Sequence, residues 1–389
     1  MLYSLICKPH IAKTDFFVYF CTRFINIFQV RLHIFNPEHD MALAYNKPEI
    51  TLPHNIQEFK MNLGYIPALW AEDGDCILVD DIQFAVKALK RTGRPHSDIL
   101  FLEKEDLKDG HFTEILPWGW DINIHSTLRT SGINEKVLPT KHILFTIREL
   151  SNRKQTKYLL KYLHKYINND ICGESFHIDN TSDFKYISKD FENIVVKAPW
   201  SSSGRGIRYI SPKNICKSTE GWVENIIAKQ GGIMIEPYYN KVKDFAMEFF
   251  SDGNGQINYC GLSLFETDKG SYIGNIIAKE EIKRKQIEKF ISNNLLNKTI
   301  SALKNYFSVL FSGTYKGPFG IDMMIVAKND NNGFLLHPCV EINLRETMGH
   351  LANKLFKEVD NREEIMKITH DVNYKIKFEY TDRKFVKTI

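Results

Sequence analysis

The chain has 389 residues, 43% hydrophobic and 25% charged, with a formal net charge of +4. Those proportions are ordinary for a globular protein, and the length exceeds one typical core, so two domains or a three-lobed unit are expected. The small charge, without any Lys/Arg block, gives no electrostatic case for nucleic acid and stays compatible with a small anionic substrate.

In chain order, residues 1–30 carry the aromatic run FFVYF from Phe16 to Phe20, interrupted around it by Lys13, Asp15 and Arg23. No stretch there approaches the ~20 apolar residues that span a bilayer, so no membrane partner is expected. No small-residue cleavage site follows either. This segment reads as an extension of doubtful structure or a start codon placed too early. The seven cysteines, at 7, 21, 76, 172, 216, 260 and 339, are odd in number and scattered, without a C-x-x-C pair. That argues against a disulfide framework or a structural zinc site and fits a reducing cytoplasm. His337 and Cys339 read as strand alternation, and the sequons at Asn180 and Asn297 as chance matches.

From Arg31 to about Leu150 the pattern is strand then helix: RLHIFN, a turn at NPEHD, a helix opening MALA, and a strand at CILVDD from Cys76. This predicts an open α/β domain, in which ligands sit at the carboxyl ends of strands. Asn36, His39 and Asp40 fall in such a loop. An equal reading is that Asn36-Pro37 makes the turn and Asp40 caps the next helix. Trp118 and Trp120 in LPWGWDINIHSTL are expected to pack between domains or wall a pocket. RELSNRKQT from Arg148 opens a basic helix whose Arg153 and Lys154 read by default as a solvated face.

VVKAPWSSSGRGI, Val195 to Ile207, is a β-rich run ending in Lys197, followed by a Ser/Gly loop whose amides are able to wrap an anion. Glycines 204 and 206 let backbone come close. A helix at GWVENIIAKQGG leads to the strand IMIEPYY, then to two β-like runs turning at Asp252 to Gly255. KEEIKRKQIEKFISNNLLNKTISALKNYF reads as helix throughout. In FGIDMMI and VEINLR, Asp322 lies on one strand and Glu341 with Asn343 on the next. Residues i and i+2 of a strand share a face, and hard oxygen ligands there suit Mg²⁺. Arg345 is two residues beyond Asn343. There is no P-loop motif G-x-x-x-x-G-K-[ST] and no G-x-G-x-x-G after the first strand. The charged tail from about Glu363 is expected to dock or to stay mobile.

On these residues the stretch from about Ser151 to His350 resembles the ATP-grasp superfamily. The resemblance implies α/β and α+β architecture: an N-terminal open α/β (pre-ATP-grasp-like) domain at 31–150, then a two-lobed ATP-grasp domain at 151–362, with lobes about 151–233 and 234–362 and a tail at 363–389. It implies ATP and Mg²⁺ as cofactors, two ions with Mn²⁺ as the alternative, held by Asp322, Glu341 and Asn343. Lys197, Ser201, Ser202, Ser203, Gly204 and Gly206 would hold phosphates under a closing loop. The hinge from Met234 to Tyr239 would hold adenine, with Tyr238 and Tyr239 in it and Glu236 or Asp244 on ribose or base. A basic residue, Arg153 or Lys154, would reach the α-phosphate. Dipeptide-joining members carry arginine two residues before the first metal Asp; this chain has Gly320 there, so Arg345 joins Lys197 as the catalytic cation. The implied reaction makes an acyl phosphate from a small carboxylate and passes it to an amine, with contacts from the first domain and from loops around Tyr272 and Asn275. A phosphotransferase and a nucleotide-binding module without turnover are the alternatives.

Overall fold

The structure is a computed structural model, described here for residues 30–201, 206–268, 271–328, 332–356 and 363–380. Its first domain is a parallel sheet of four short strands, β1 (Arg31–Ile34), β2 (Cys76–Leu78), β3 (Leu100–Leu102) and β4 (Glu114–Pro117), in the order β3-β2-β1-β4. Helices α1 (His39–Tyr45), α2 (His54–Leu63) and α3 (Ile82–Arg91) precede β3, and α4 (Ile122–Thr130) follows β4. Helices pack on both faces of these strands, although one face of β1 carries Arg31 and His33. Leu32, Ile34 and Ile115 pack with Ile124 and Leu128 on one side, while Phe35, Ile77 and Phe101 pack with Leu63 and Leu89 on the other. Strand order reverses between β1 and β4, so a crevice opens at their carboxyl ends.

Two helices, α5 (Lys141–Leu150) and α6 (Lys154–Ile167), lead out of this domain. The buried stripe Leu159, Leu160, Leu163 seats α6 in the core of the second lobe, not the first. The first lobe follows: β5 (Phe176–Ile178), α7 (Thr181–Ile187), β6 (Ile194–Lys197), β7 (Ile207–Ile210), α8 (Lys217–Gln230) and β8 (Ile233–Pro237), an antiparallel sheet ordered β5-β8-β6-β7. Ile194, Val196, Ile233 and Ile235 point into its own core with Phe184 and Val223. The alternate residues, Lys197 and Glu236 among them, therefore face the other way.

The second lobe holds β9 (Lys241–Asp252), β10 (Ile257–Ser263), β11 (Phe265–Asp268), β12 (Ser271–Ile277), α9 (Glu280–Ile287), α10 (Asn293–Phe311), β13 (Lys316–Ala327), β14 (Phe334–Asn343) and α11 (Met348–Leu355). Phe249, Phe307, Phe311 and Phe319 centre its core, the rings of Phe249 and Phe319 stacked at 5.2 Å. The segment read as one helix divides at Ser292, whose hydroxyl accepts from the Leu295 amide and so starts α10 afresh. The described part of the tail is strands, β15 (Glu364–His370) and β16 (Tyr374–Tyr380), in a sheet ordered β11-β12-β15-β16. They pack on the first domain, where the Tyr374 amide donates to Asn62 Oδ1 at 2.8 Å and Phe59 meets the Tyr374 ring at 5.0 Å. Cys172, Cys216, Cys260 and Cys339 form no disulfide among the described residues. No helix among the described residues is long and apolar enough to cross a membrane.

Candidate functional site

Antiparallel pairing of β13 with β14 sets Asp322 opposite Glu341 and Gly320 opposite Asn343. Asn343 Nδ2 donates to Asp322 Oδ2 at 3.1 Å, and Arg345 Nη2 donates to Asn343 Oδ1 at 2.9 Å. The three residues read as metal ligands thus come together. Asp322 opens partly to the cleft yet titrates at about 8, pushed up first by burial and then by the charges of Glu341 and Glu248, against Arg345 and Asn343. Two carboxylates crowded this way are a donor set that a cation would relieve. Among the described residues no three His, Cys, Asp or Glu side chains converge on a metal position. Two carboxylates and one amide therefore suit Mg²⁺, which draws much of its shell from phosphate and water, better than zinc.

Behind Asp322, Glu248 is fully buried against His350, whose Nδ1 lies 3.0 Å away. Burial raises its pKa. A Cβ built on Gly320 would come within 2.5 Å of Glu248 Oε2, so glycine at this position leaves the buried carboxylate its room. Glu248 escaped sequence reasoning; its one signal was a carboxylate inside the apolar run AMEFF.

Across the cleft, Lys197 Nζ ion-pairs with Glu236 Oε2 at 2.6 Å and donates to the Val340 carbonyl at 3.3 Å, with both side chains buried. Lys197 thereby ties the first lobe to β14 one residue from Glu341. Glu236, expected on ribose or base, is engaged by Lys197 on the face of the lobe opposite its core. Tyr238 is exposed, its ring 6.0 Å from that of Tyr209, while Tyr239 meets the buried His337 edge-on at 5.3 Å. Asp244 pairs with Lys241 at 2.6 Å. Burial holds His337 neutral, its pKa pushed down to about 3.

Arg153 was read as a solvated helix face and is instead buried at the centre of the site. Its guanidinium donates to the Ala198 carbonyl at 2.8 Å, to Ser201 Oγ at 2.6 Å and to Glu341 Oε1 at 2.6 Å. Lys154 pairs with Glu149 at 2.6 Å. Gly206 returns beside Ser201, its carbonyl accepting from the Ala198 amide at 2.7 Å, and a Cβ there would run into Ser201. Ser202, Ser203 and Gly204 lie outside the described residues.

The first domain closes the remaining side. Asp40 does not cap α1, whose N-cap Glu38 makes no side-chain cap bond. It reaches across to Arg345, accepting at 3.0 and 2.9 Å from Nε and Nη2. Burial alone would raise the Asp40 pKa; Arg345 outweighs it and holds the carboxylate low. Arg345 is correspondingly raised. Asn36 fixes the loops after β1 and β4 to one another, donating to the Gly119 carbonyl at 2.8 Å and accepting from the Gly119 amide at 3.2 Å. A narrow cleft results, lined by His39, Asp40, Ser151, Ser201, Glu341 and Asn343.

Other expected residues have structural roles. Trp118 packs edge-on against Phe35 at 5.0 Å, and Trp120 sits between two cores. Asn275 is in a paired strand, donating to Ser263 at 2.7 Å, not in a loop over the site. The Tyr272 hydroxyl is buried with no partner among the described residues. A cavity of about 900 Å³ elsewhere is bordered by Arg31, His33, Trp70 and Lys354, and the three basic groups among these are already paired. Arg31 and His33 bond Asp75, and Lys354 bonds Glu346.

Among solved structures the chain is similar to a biotin carboxylase–β,γ-ATP complex from Campylobacter jejuni, at 12% identity and a TM-score of 0.51 over 87% of this chain and 75% of that one. It is also similar to the biotin carboxylase domain of 2-oxoglutarate carboxylase from Hydrogenobacter thermophilus, solved with MgADP, ADP and bicarbonate, at 15% identity and 0.50 over 88% and 74%. A putative ATP-grasp superfamily protein from Archaeoglobus fulgidus matches at 10% identity and 0.47, over 91% and 100%. No family model and no curated protein matches the sequence.

Proposed function

From the ATP-grasp fold, which this chain has, and from the residues it gathers, we propose that the protein is an ATP- and Mg²⁺-dependent ligase. It activates a small carboxylate as an acyl phosphate and passes the acyl group to an amine, releasing ADP and phosphate. The observation that carries this reading is the cross-strand set Asp322, Glu341 and Asn343, with Lys197, Arg153 and Arg345 closing on it from three different parts of the chain. A site for binding alone would not need two crowded carboxylates and three cations in one cleft.

Asp322, Glu341 and Asn343 would hold magnesium, which when bound neutralises phosphate charge. Arg153 and Lys197 are placed to donate to phosphate oxygens once their carboxylate partners turn to other cations. Arg345, fixed by Asp40 and Asn343, keeps a permanent positive charge where an oxyanion would develop. Backbone of the hinge from Met234 to Tyr239, with Tyr238, Tyr239 and Asp244 near it, would take adenine and ribose. The test is a screen of pooled carboxylates and amines for ADP and phosphate release, with the product identified by mass. A condensed, phosphate-free product is expected; phosphate retained on the product would make the protein a phosphotransferase instead.

A further inference from the structure

The first residue of α1 places one chemically active group in the cleft that the site above does not use. His39 is 1% exposed and lines the cleft with Ser201, Glu341 and Asn343. Its Nδ1 lies 3.0 Å from Asp121 Oδ2. Asp121 is itself held by three donors besides the imidazole: its Oδ1 accepts from the amides of Asn123 and Ile124, both at 2.9 Å, and its Oδ2 accepts from Asn36 at 3.3 Å. A carboxylate so engaged stays an acceptor. Hence Nδ1 carries the hydrogen, and Nε2 presents its lone pair. Gly119 lets the ring lie flat against the backbone, since a Cβ there would fall within 2.6 Å of it. Nε2 has no partner among the described residues. A buried lone pair held in this way is satisfied by a donor, not by an anion.

We propose that the His39–Asp121 dyad is the subsite for the acceptor amine and takes its proton; this rests on the ligase reading above. The charges around it favour an ammonium over a second carboxylate. Asp121 from the β4–α4 loop and Asp40 from α1 bring two negative charges against the one positive charge of Arg345 after β14, while Glu341 on β14 is matched by Arg153 at the start of α6. In the transfer, one proton passes from the ammonium to Nε2. The freed nitrogen lone pair forms the C–N bond, the C–O bond to phosphate breaks with its electron pair going to phosphate, and the departing phosphate takes the second proton. Asp121 stabilises the imidazolium meanwhile.

The first test uses the native protein with ¹⁵N-labelled imidazoles and Mg-ADP, with methylammonium chloride and sodium acetate as probes. The His39 signals are assigned by their loss in His39→Gln and by the altered Nδ1 of Asp121→Asn. Methylammonium is expected to move the Nε2 resonance and acetate to leave it. A resonance unmoved by either, or moved equally by both, makes His39 a sealed core histidine and overturns the proposal. With the substrates found in the screen, His39→Gln is expected to lower amide formation by about 100-fold, the low end for a lost general base, and imidazole to restore part of it in His39→Gly. Amide formation unchanged in His39→Gln equally overturns it. Calorimetry of Mg-ATP on the same sample separates the two readings: a protein that takes methylammonium at His39 but no nucleotide keeps the dyad and loses the ligase.

Discussion

Replacing Asp322 with asparagine tests the metal assignment without any substrate. The Asp322 carboxyl titrates at about 8 in the folded, metal-free protein instead of its ordinary 3.8, burial being the largest cause and the Glu341 charge the next. A folded-state pKa above the unfolded value means that the folded chain binds the extra proton, so this stability is complete below pH 4 and is lost as pH rises through 8. Each unit is worth about 1.4 kcal/mol, so the displacement amounts to about 6 kcal/mol at most, and the partial opening of Asp322 to the cleft screens it to a few kcal/mol. Asp322→Asn removes the titration. Urea unfolding from pH 5 to 9 should therefore show native stability falling relative to Asp322→Asn, with the variant the more stable by a few kcal/mol at pH 9. Mg-ATP should reverse the order, because a cation beside the carboxylate favours its ionised form. Calorimetry in buffers of different ionisation enthalpy should then show proton release on Mg-ATP binding at pH 7, absent in the variant. Parallel pH profiles for the two proteins, together with binding that releases no proton, would refute the reasoning.

Lys197→Ala should weaken ATP binding by about 1.5–3 kcal/mol and also destabilise the fold, because Glu236 is left buried and unpaired; adding Glu236→Gln should restore stability in thermal unfolding but not affinity in calorimetry. Glu341→Gln should abolish ATP turnover in the substrate screen while the fold, followed by circular dichroism, holds, since the change relieves repulsion on Asp322 even as it weakens the bond to Arg153. Arg345→Lys should behave almost as Arg345→Ala in turnover, because an ammonium cannot keep the two bonds to Asp40 and the one to Asn343 together. Gly320→Ala should cost about 1–3 kcal/mol in chemical denaturation by pressing on Glu248, with no such loss in a Glu248→Ala background.

The meeting of Asp322 and Glu341 was legible because strand alternation is local: a carboxylate inside FGIDMMI and another inside VEINL declare themselves in the sequence, and pairing β13 with β14 only brings them opposite each other. The open α/β start was legible for the same reason. Arg153 was not, since its position depends on α6 packing into the second lobe through Leu159 and Leu163, contacts made with residues more than a hundred positions later. Asp40 had a local explanation as a helix cap, and a partner 305 residues away outweighed it. Glu236 sat in the expected order for a hinge residue, but order along a chain does not show that a lysine on the neighbouring strand will hold its carboxylate. The split at Ser292 was readable as a cap and was hidden by helix propensity on both sides.

The packing of the C-terminal hairpin has a consequence for how this chain comes apart. Ile277, Leu351, Met366 and Ile376, from the far end of the sequence, share one core with Leu63, Ile66, Ile77 and Leu89 from the beginning. The first lobe keeps Ile194, Val196, Ile233 and Ile235 in a core of its own. Cooperative unfolding units follow shared cores, not sequence intervals. Cutting after residue 150 would thus not yield two autonomous domains, because each piece would carry half of a common interior. The body formed by the two chain ends and the second lobe should melt as one, and the insert from about 175 to 237 is the part able to open on its own. Amide hydrogen exchange would see it as a separate, less protected foldon, with late-protected amides in β1 and β15 exchanging together.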